Sequence, residues 1–221
     1  MAIRQSDVIA GYTKYIDLVD SLCCGKEIIS TGMTHEVERC KRALEKASKG
    51  ATVSLVSSGD AGIYGMAGLA YELNESEGFG VEIEVVPGVS AANAAAALLG
   101  APLALDFATI SLSDLLVPWE MIRKRLEAVA GADLACALYN PKSKKRVAQL
   151  EEAAEIFRKH RPGATPVGIC DSIGLEGQAT LISDLDHFLQ EKIGMRTIVL
   201  IGSSGTKVID GKMVTPRGYR I

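Results

Sequence analysis

The sequence predicts an α/β fold with a more strand-rich second half, on three observations. Short apolar runs rich in β-branched residues recur along the chain, residues 52–56 and 196–201 being the clearest. Segments with apolar residues at helical spacing separate most of these runs, and alternating strands and helices are the pattern of α/β architecture. Turns rich in glycine, proline and small polar residues punctuate the two kinds of segment, with no internal repeat and no low-complexity linker.

Residues 7–12 read as the end of a strand passing into a loop. Thr31-Gly32-Met33-Thr34 leads into a helix in which Val37, Cys40, Ala43, Leu44 and Ala47 share a face, with Thr34 as N-cap and Gly50 closing it. The run 52–56 reads as a buried strand that turns through Ser57-Ser58-Gly59-Asp60-Ala61-Gly62 into a helical pattern carrying Ile63, Met66, Ala67, Ala70 and Leu73. After a polar turn at 74–80, residues 81–86 alternate as a strand does. Pro87-Gly88-Val89-Ser90 follows, with Ser90 capping an alanine-rich helix that runs to Leu99 and stops at Gly100-Ala101-Pro102.

Residues 107–110 read as a strand and 111–114 as a loop, where the chain crosses into its second half. Pro118 opens a helix carrying Trp119, Ile122, Leu126 and Val129. The buried strand 134–139 ends at Asn140-Pro141, and Lys142, Lys144, Lys145 and Arg146 open a helix with Val147, Leu150, Ala154 and Phe157. Strands at 166–170 and 178–181, a short helix at 185–191 and a last core strand at 196–201 complete the order. Asp210-Gly211 between two apolar pairs marks a hairpin.

Composition narrows the function. With 221 residues, 48% hydrophobic, 23% charged and a net charge of −3, the chain is globular, one large domain or two small ones. No basic excess and 5% aromatic residues argue against nucleic acid. The most apolar stretch, 91–101, falls well short of the ~18 residues of a membrane helix, and the first residues lack the apolar core of a signal peptide. The five cysteines show no CxxC spacing, so neither a zinc site nor a disulfide framework is expected, but reduced thiols in a metal-free cytoplasmic protein.

The acidic glycine turn at 57–65 is the chemical centre of the sequence. A strand-to-helix turn in an α/β sheet lies at the carboxyl edge, where ligands sit. A phosphate cradle would end in a lysine followed by serine or threonine, and that ending is missing. Asp60 suits hydroxyls or a cationic ligand, unless it only caps the following helix.

Several turns taken together resemble the tetrapyrrole methylases. They are Gly11-Tyr12-Thr13-Lys14-Tyr15, Thr31-Gly32-Met33, the acidic turn through Met66, and Pro87-Gly88-Val89-Ser90-Ala91-Ala92-Asn93. Ile110-Ser111-Leu112-Ser113-Asp114-Leu115-Leu116, Tyr139-Asn140-Pro141-Lys142-Ser143 and Pro216-Arg217-Gly218-Tyr219 follow in order. The resemblance implies two α/β domains, 1–112 and 113–221, with the active site in the trough between them, and a homodimer. It implies S-adenosylmethionine as methyl donor, with S-adenosylhomocysteine as product. The donor would be held by Ser58, Gly59, Asp60, Ile63, Ser90, Ala91, Asn140 and Ala179. The reaction implied is methylation of C17 of precorrin-3B, or of its cobalt-loaded counterpart cobalt-factor III, with contraction of the macrocycle, in cobalamin biosynthesis.

The chain departs from the family's pattern twice. Members begin with a strand and a glycine-proline-glycine loop facing the substrate, and this chain starts after both, so a missing first strand and an exposed sheet edge are expected. Ala104 and Leu105 stand where relatives usually carry glycine-histidine before the acid Asp106.

Ring contraction needs a proton donor or acceptor near the substrate, and Asp106, Ser111, Ser113 and Asp114 are the candidates, with His35 behind them. Each has an ordinary alternative as a cap or solvated turn residue. Lys14, Lys142, Lys144, Lys145 and Arg146, with Arg217 behind them, would rim the site of a polycarboxylate substrate, or simply form solvated faces. Trp119 and Tyr64 would stack on the macrocycle, or in the case of Trp119 pack in the core. Two other functions compete: a module that binds the donor without turnover, and a nucleotide-binding α/β protein, which Asp60 and the missing lysine oppose.

Overall fold

In the computed structural model, residues 2–144 and 146–220 are described, and they form two compact units, Met1–Ser90 and Ala91–Ile221. Lys145 lies outside the described residues.

The first unit opens with a short helix, Ala2–Gln5 (α1), and the strand Val8–Tyr12 (β1), which leads straight into the helix Thr13–Asp17 (α2). Glu27–Thr31 (β2) and Val53–Val56 (β3) flank β1 on either side, all parallel, in a three-stranded sheet. The period of two sends Val8 and Ala10 to one face, against Ala43 of the helix Glu36–Ala47 (α3), and Ile9 to the other, against Ile16 of α2. The helix Ala67–Ser76 (α4) packs beside α3 through Met66, Ala70, Cys40 and Leu44.

Three expectations change here. Thr34 does not cap α3. His35 is the cap position, and Thr34 has φ of 67° with its N–H on Glu36. Helix α4 starts at Ala67, four residues later than Ile63. Residues 81–86 form no strand. Val81 and Ile83 pack against the α3–α4 cluster, and the side chains of Asn74 and Tyr71 take the backbone groups of Val81 and the Ile83 carbonyl. Alternation supplied the apolar face, but no neighbouring strand among the described residues supplies a ladder.

The second unit is a five-stranded mixed sheet in the order β5-β6-β9-β7-β8: Phe107–Ser111 (β5), Ala135–Tyr139 (β6), Pro166–Asp171 (β7), Ala179–Asp184 (β8) and Thr197–Ile201 (β9). Strands β5 and β6 are parallel, and β9 runs antiparallel between β6 and β7. Cys136, Leu138, Val199 and Ile201 point to one face, beneath the helices Trp119–Gly131 (α6) and Ala148–Arg158 (α7). Ala137, Ile198 and Leu200 point to the other, beneath the helix Ala91–Leu99 (α5). Gly168 lets α5 come this close, because a Cβ there would run into Leu99. A two-residue strand, Gly100–Ala101 (β4), pairs with the hairpin Lys207–Ile209 (β10) and Lys212–Val214 (β11). That hairpin turns at Asp210-Gly211 with both φ positive, as its sequence predicts.

Helix α5 and strand β5 therefore belong with the second unit, on the far side of the 112/113 division drawn from the sequence, because their packing partners are β6 to β9. The short helix of 185–191 shrinks to a 3-10 turn at Phe188–Gln190. Cys23, Cys40, Cys136 and Cys170 are buried and Cys24 is exposed. No helix is long and apolar enough to cross a membrane, and no cluster of three metal-ligating side chains occurs, among the described residues.

Candidate functional site

In the first unit all three strands are parallel, so Tyr12, Thr31 and Val56 end at one edge. The loop leaving β3 is folded on itself. Ser57 Oγ accepts the N–H of Met66 at 3.2 Å, and the Ala61 carbonyl accepts that of Ala67 at 3.0 Å. Asp60 sits at its centre, with Oδ1 taking the N–H of Gly62 at 2.8 Å and Oδ2 that of Gly88 at 2.9 Å. Those N–H groups, Gly88 first, hold its carboxyl below the usual carboxylate range. Asp60 is therefore no helix cap: it staples the 57–66 loop to the turn before α5. The two turns touch so closely that a Cβ on Gly88 would meet the Gly59 carbonyl oxygen. An ionised carboxylate offers about four acceptor positions, so with the Gly62 and Gly88 N–H groups and a weaker one from Ile63 on it, the carboxylate keeps a position for a hydroxyl or a cation. Ser58, Gly59 and Ile63 are exposed on this loop, Asp60 is half-buried, and Tyr64 is exposed beside them.

The second unit gathers its residues at the edge where β5, β6 and β7 end and β8 and β9 begin. Ser111 pairs in register with Tyr139, and Asp171 with both Thr197 and Ala179. The Tyr139 hydroxyl accepts the N–H of Ala92 at 2.9 Å, so the strand end meets one of the unsatisfied N–H groups of the first turn of α5. Ser111 Oγ accepts the Asn140 side-chain N–H at 3.0 Å and the backbone N–H of Ser113 at 3.2 Å. Asp171 takes the hydroxyls of Ser172 and Thr197, both at 2.7 Å, which hold its carboxyl low.

The profile of the tetrapyrrole (corrin/porphyrin) methylases matches residues 1–188. The chain belongs to that family. A cobalt-factor III methyltransferase of Priestia megaterium is 49% identical to this methylase over 99% of the chain, which spans only 41% of that relative's length. A precorrin-3B C(17)-methyltransferase of Sinorhizobium sp. is 37% identical over 99% of the chain and 89% of its own length. The crystal structure of the methyltransferase CobJ superimposes with a TM-score of 0.89 at 35% identity, covering 97% of this chain and 90% of that one.

The methylase brings some of the expected residues together and parts others. Ser58, Gly59, Asp60 and Ile63 share one loop, and Ser90, buried, closes the first unit. Ala91, Asn140, Ala179, Ser111 and Ser113 share the carboxyl edge of the second unit's sheet. Asp114 follows on the same loop and accepts from Gln149 of α7 at 3.0 Å. Asp106 does not join them, because it precedes β5 while Ser111 ends it, roughly 17 Å away along a strand. His35 is exposed beside Glu38 at 3.0 Å. An open hollow of about 410 Å³ lies near Asp106, with Asn93, Leu103, Ala104 and Phe107 in its walls, and none of the expected site residues lines it.

The cations also separate. Lys142, Lys144 and Arg146 lie in the loop before α7, not in the helix, and Arg146 turns inward onto the Asn140 carbonyl at 2.8 Å. Lys14 is exposed on α2, and Arg217 lies over the Tyr219 ring at 5.9 Å. Trp119 packs against the core of α6 and α7, with its indole N–H on Glu152 at 2.7 Å, so the packing reading holds for it.

Sequence reasoning passed over Arg39. It is 3% exposed, donates to Thr31 Oγ1 at 2.5 Å and to the Gly32 carbonyl at 3.3 Å, and so pins the loop leaving β2. A charge beside the apolar stripe of α3 was the available signal.

Proposed function

We propose that this methylase transfers a methyl group from S-adenosylmethionine to C17 of a precorrin-3B-type macrocycle, metal-free or as cobalt-factor III, with ring contraction, in cobalamin biosynthesis. The observation that carries the reading is the pair of relatives named as a cobalt-factor III methyltransferase and a precorrin-3B C(17)-methyltransferase, 49% and 37% identical, each aligned over 99% of the chain. Cobalt, where present, arrives with the substrate.

The residues assigned to the donor suit its chemistry. Asp60 keeps an acceptor position for a hydroxyl, and Gly59, with φ of 68°, takes a backbone conformation that lets the loop turn there. Ser58, Ile63, Ser90, Ala91, Asn140 and Ala179 are the other residues assigned to the donor. Bound S-adenosylmethionine supplies an electrophilic methyl on sulfur. The chain's own contribution is placement, because holding two reactants in line is worth ~7–11 kcal/mol. Ser111, Ser113 and Asp114 stand at the second sheet edge for the ring-contraction step, whereas Asp106 is at the other end of β5. Lys142 and Lys144 meet substrate carboxylates.

We further infer a cytoplasmic homodimer. The exposed Leu115 and Leu116 on the loop after β5, 79% and 96% exposed, support an apolar contact with a second copy.

The test is twofold. Calorimetry with S-adenosylhomocysteine measures donor binding, and single turnover with methyl-labelled donor is run on precorrin-3B and on cobalt-factor III in parallel. Labelled, ring-contracted product from either substrate supports the reading and names the substrate. Donor binding with no product from either leaves a donor-binding module instead, and absence of both overturns the reading.

A further inference from the structure

Ser111 Oγ already receives two N–H groups, from Ser113 and from the Asn140 side chain. A hydroxyl has two acceptor lone pairs and one proton to give. With both lone pairs engaged, Ser111 has only its O–H left, aimed by the two donors that hold it. It is half-buried at the end of β5, beside the strand end that carries Asn140.

Asn140 is itself held. Its φ is 50°, in the left-handed region that asparagine tolerates better than most residues, and it precedes Pro141, which restricts it further. Arg146 Nη2 donates to the Asn140 carbonyl at 2.8 Å. The Arg146 backbone closes the same loop, giving its N–H to Ser143 Oγ at 3.1 Å and receiving that of Ser143 at 2.9 Å. Arg146 Nε is buried with no hydrogen-bond partner among the described residues, a cost accepted while Nη2 stays on that carbonyl.

We propose that Ser111 is a fixed hydrogen-bond donor to an acceptor oxygen of the tetrapyrrole substrate, a carboxylate or ring carbonyl, and not a base, and that Arg146 is a positioning residue that aims it through Asn140. This rests on the methyltransferase reading and deepens it. Arg146, read from sequence as a cation facing substrate carboxylates, acts instead from behind the site.

The experiment measures kcat, KM for the tetrapyrrole and the Kd of S-adenosylhomocysteine for wild type, Ser111→Ala, Ser111→Thr, Arg146→Met, Arg146→Lys and the Ser111→Ala/Arg146→Met double variant. Ser111→Ala is expected to lose about 10- to 100-fold in kcat/KM, the worth of a hydrogen bond to a charged or polarised oxygen, with S-adenosylhomocysteine binding within about twofold of wild type. Its kcat/KM is expected to keep the pH limbs of wild type, since a donor hydroxyl does not titrate there. Ser111→Thr keeps the hydroxyl and returns most of the loss. Arg146→Met loses less than Ser111→Ala, Arg146→Lys recovers part, and the double variant is no worse than Ser111→Ala alone.

Three results overturn the proposal while the methyltransferase reading stands: losses in the two single variants that multiply in the double, a pH limb lost with Ser111, or a fall in S-adenosylhomocysteine affinity that matches the loss of turnover. A wild type that neither binds S-adenosylhomocysteine nor turns over overturns the methyltransferase reading, and this proposal with it.

Discussion

Gly88 gives its backbone N–H to Oδ2 of Asp60 at 2.9 Å, across 28 residues of chain. With the Gly62 N–H on the other oxygen, this makes the acid the joint between two turns. The same contact lowers the carboxyl's pKa, and the sign of the pH effect follows. A carboxylate whose folded pKa is depressed stabilises above its unfolded pKa and loses that contribution as pH falls through the folded one. The stability difference between wild type and Asp60→Asn is therefore expected to be constant from neutral pH down to about 4, and to shrink only below that. Thermal melts of both proteins in a pH series check it. A difference that vanishes well above pH 4 would show that the carboxylate is not held by these N–H groups.

Glycines in the first unit should respond in opposite directions. Gly88→Ala places a methyl against the Gly59 carbonyl, which is backbone and cannot move aside, so a loss of about 1–3 kcal/mol is expected together with weaker S-adenosylhomocysteine binding. Gly68 lies in the first turn of α4 with open space at its Cβ, so Gly68→Ala should gain up to about 0.5 kcal/mol, less than in mid-helix. Urea midpoints of the two variants test the pair.

Arg161 should be costly to remove. Its side chain is fully buried, donates to the carbonyls of Gly202 and, at 2.6 Å, Leu134, and lies 3.4 Å from an Asp133 oxygen and 4.7 Å from the centre of the Phe157 ring. Arg161→Met leaves those buried carbonyls without their donor, while Asp133 keeps the Ser204 N–H and hydroxyl, and a loss of about 1–3 kcal/mol for each carbonyl is expected by chemical denaturation. Donor affinity should hold at temperatures where the variant is folded, because Arg161 lies outside the candidate site.

Thiol chemistry should discriminate sharply. Burial pushes Cys136 up to about 12 and Cys40 and Cys170 up to about 11, and Cys24 alone of the five is exposed. Iodoacetamide on the native protein, read by peptide mass spectrometry, is expected to label Cys24 first and to reach Cys40, Cys136 and Cys170 only in denaturant.

The sequence made most strands and helices readable because the periods of two and 3.6 are local, although β2 at Glu27–Thr31 was passed over. It also made the loops at 57–66, 87–91 and 139–141 readable, because turn chemistry sits in consecutive residues. What it hid was long-range. That Asp60 answers to Gly88 depends on two turns meeting in space. Alternation at 81–86 marked an apolar face truly, yet a ladder needs a partner that no local pattern declares. The basic cluster before α7 read as a helix start, whereas Ser143 and Arg146 exchange backbone bonds in a loop of their own. Asp106 and Ser111 are close in sequence and sit at opposite ends of an extended strand, which is what extension does to five residues.

The position of β9 also bears on how the protein is made. Residues 197–201 occupy the centre of the five-stranded sheet although they come last of its strands. During synthesis the β5–β6 pair and the β7–β8 hairpin leave the ribosome as separate halves, each with one flank bare, until the intervening segment emerges to zip them together. A pause in translation shortly before that point would leave the facing edges of β6 and β7 unpaired, the kind of bare strand edge from which aggregation starts.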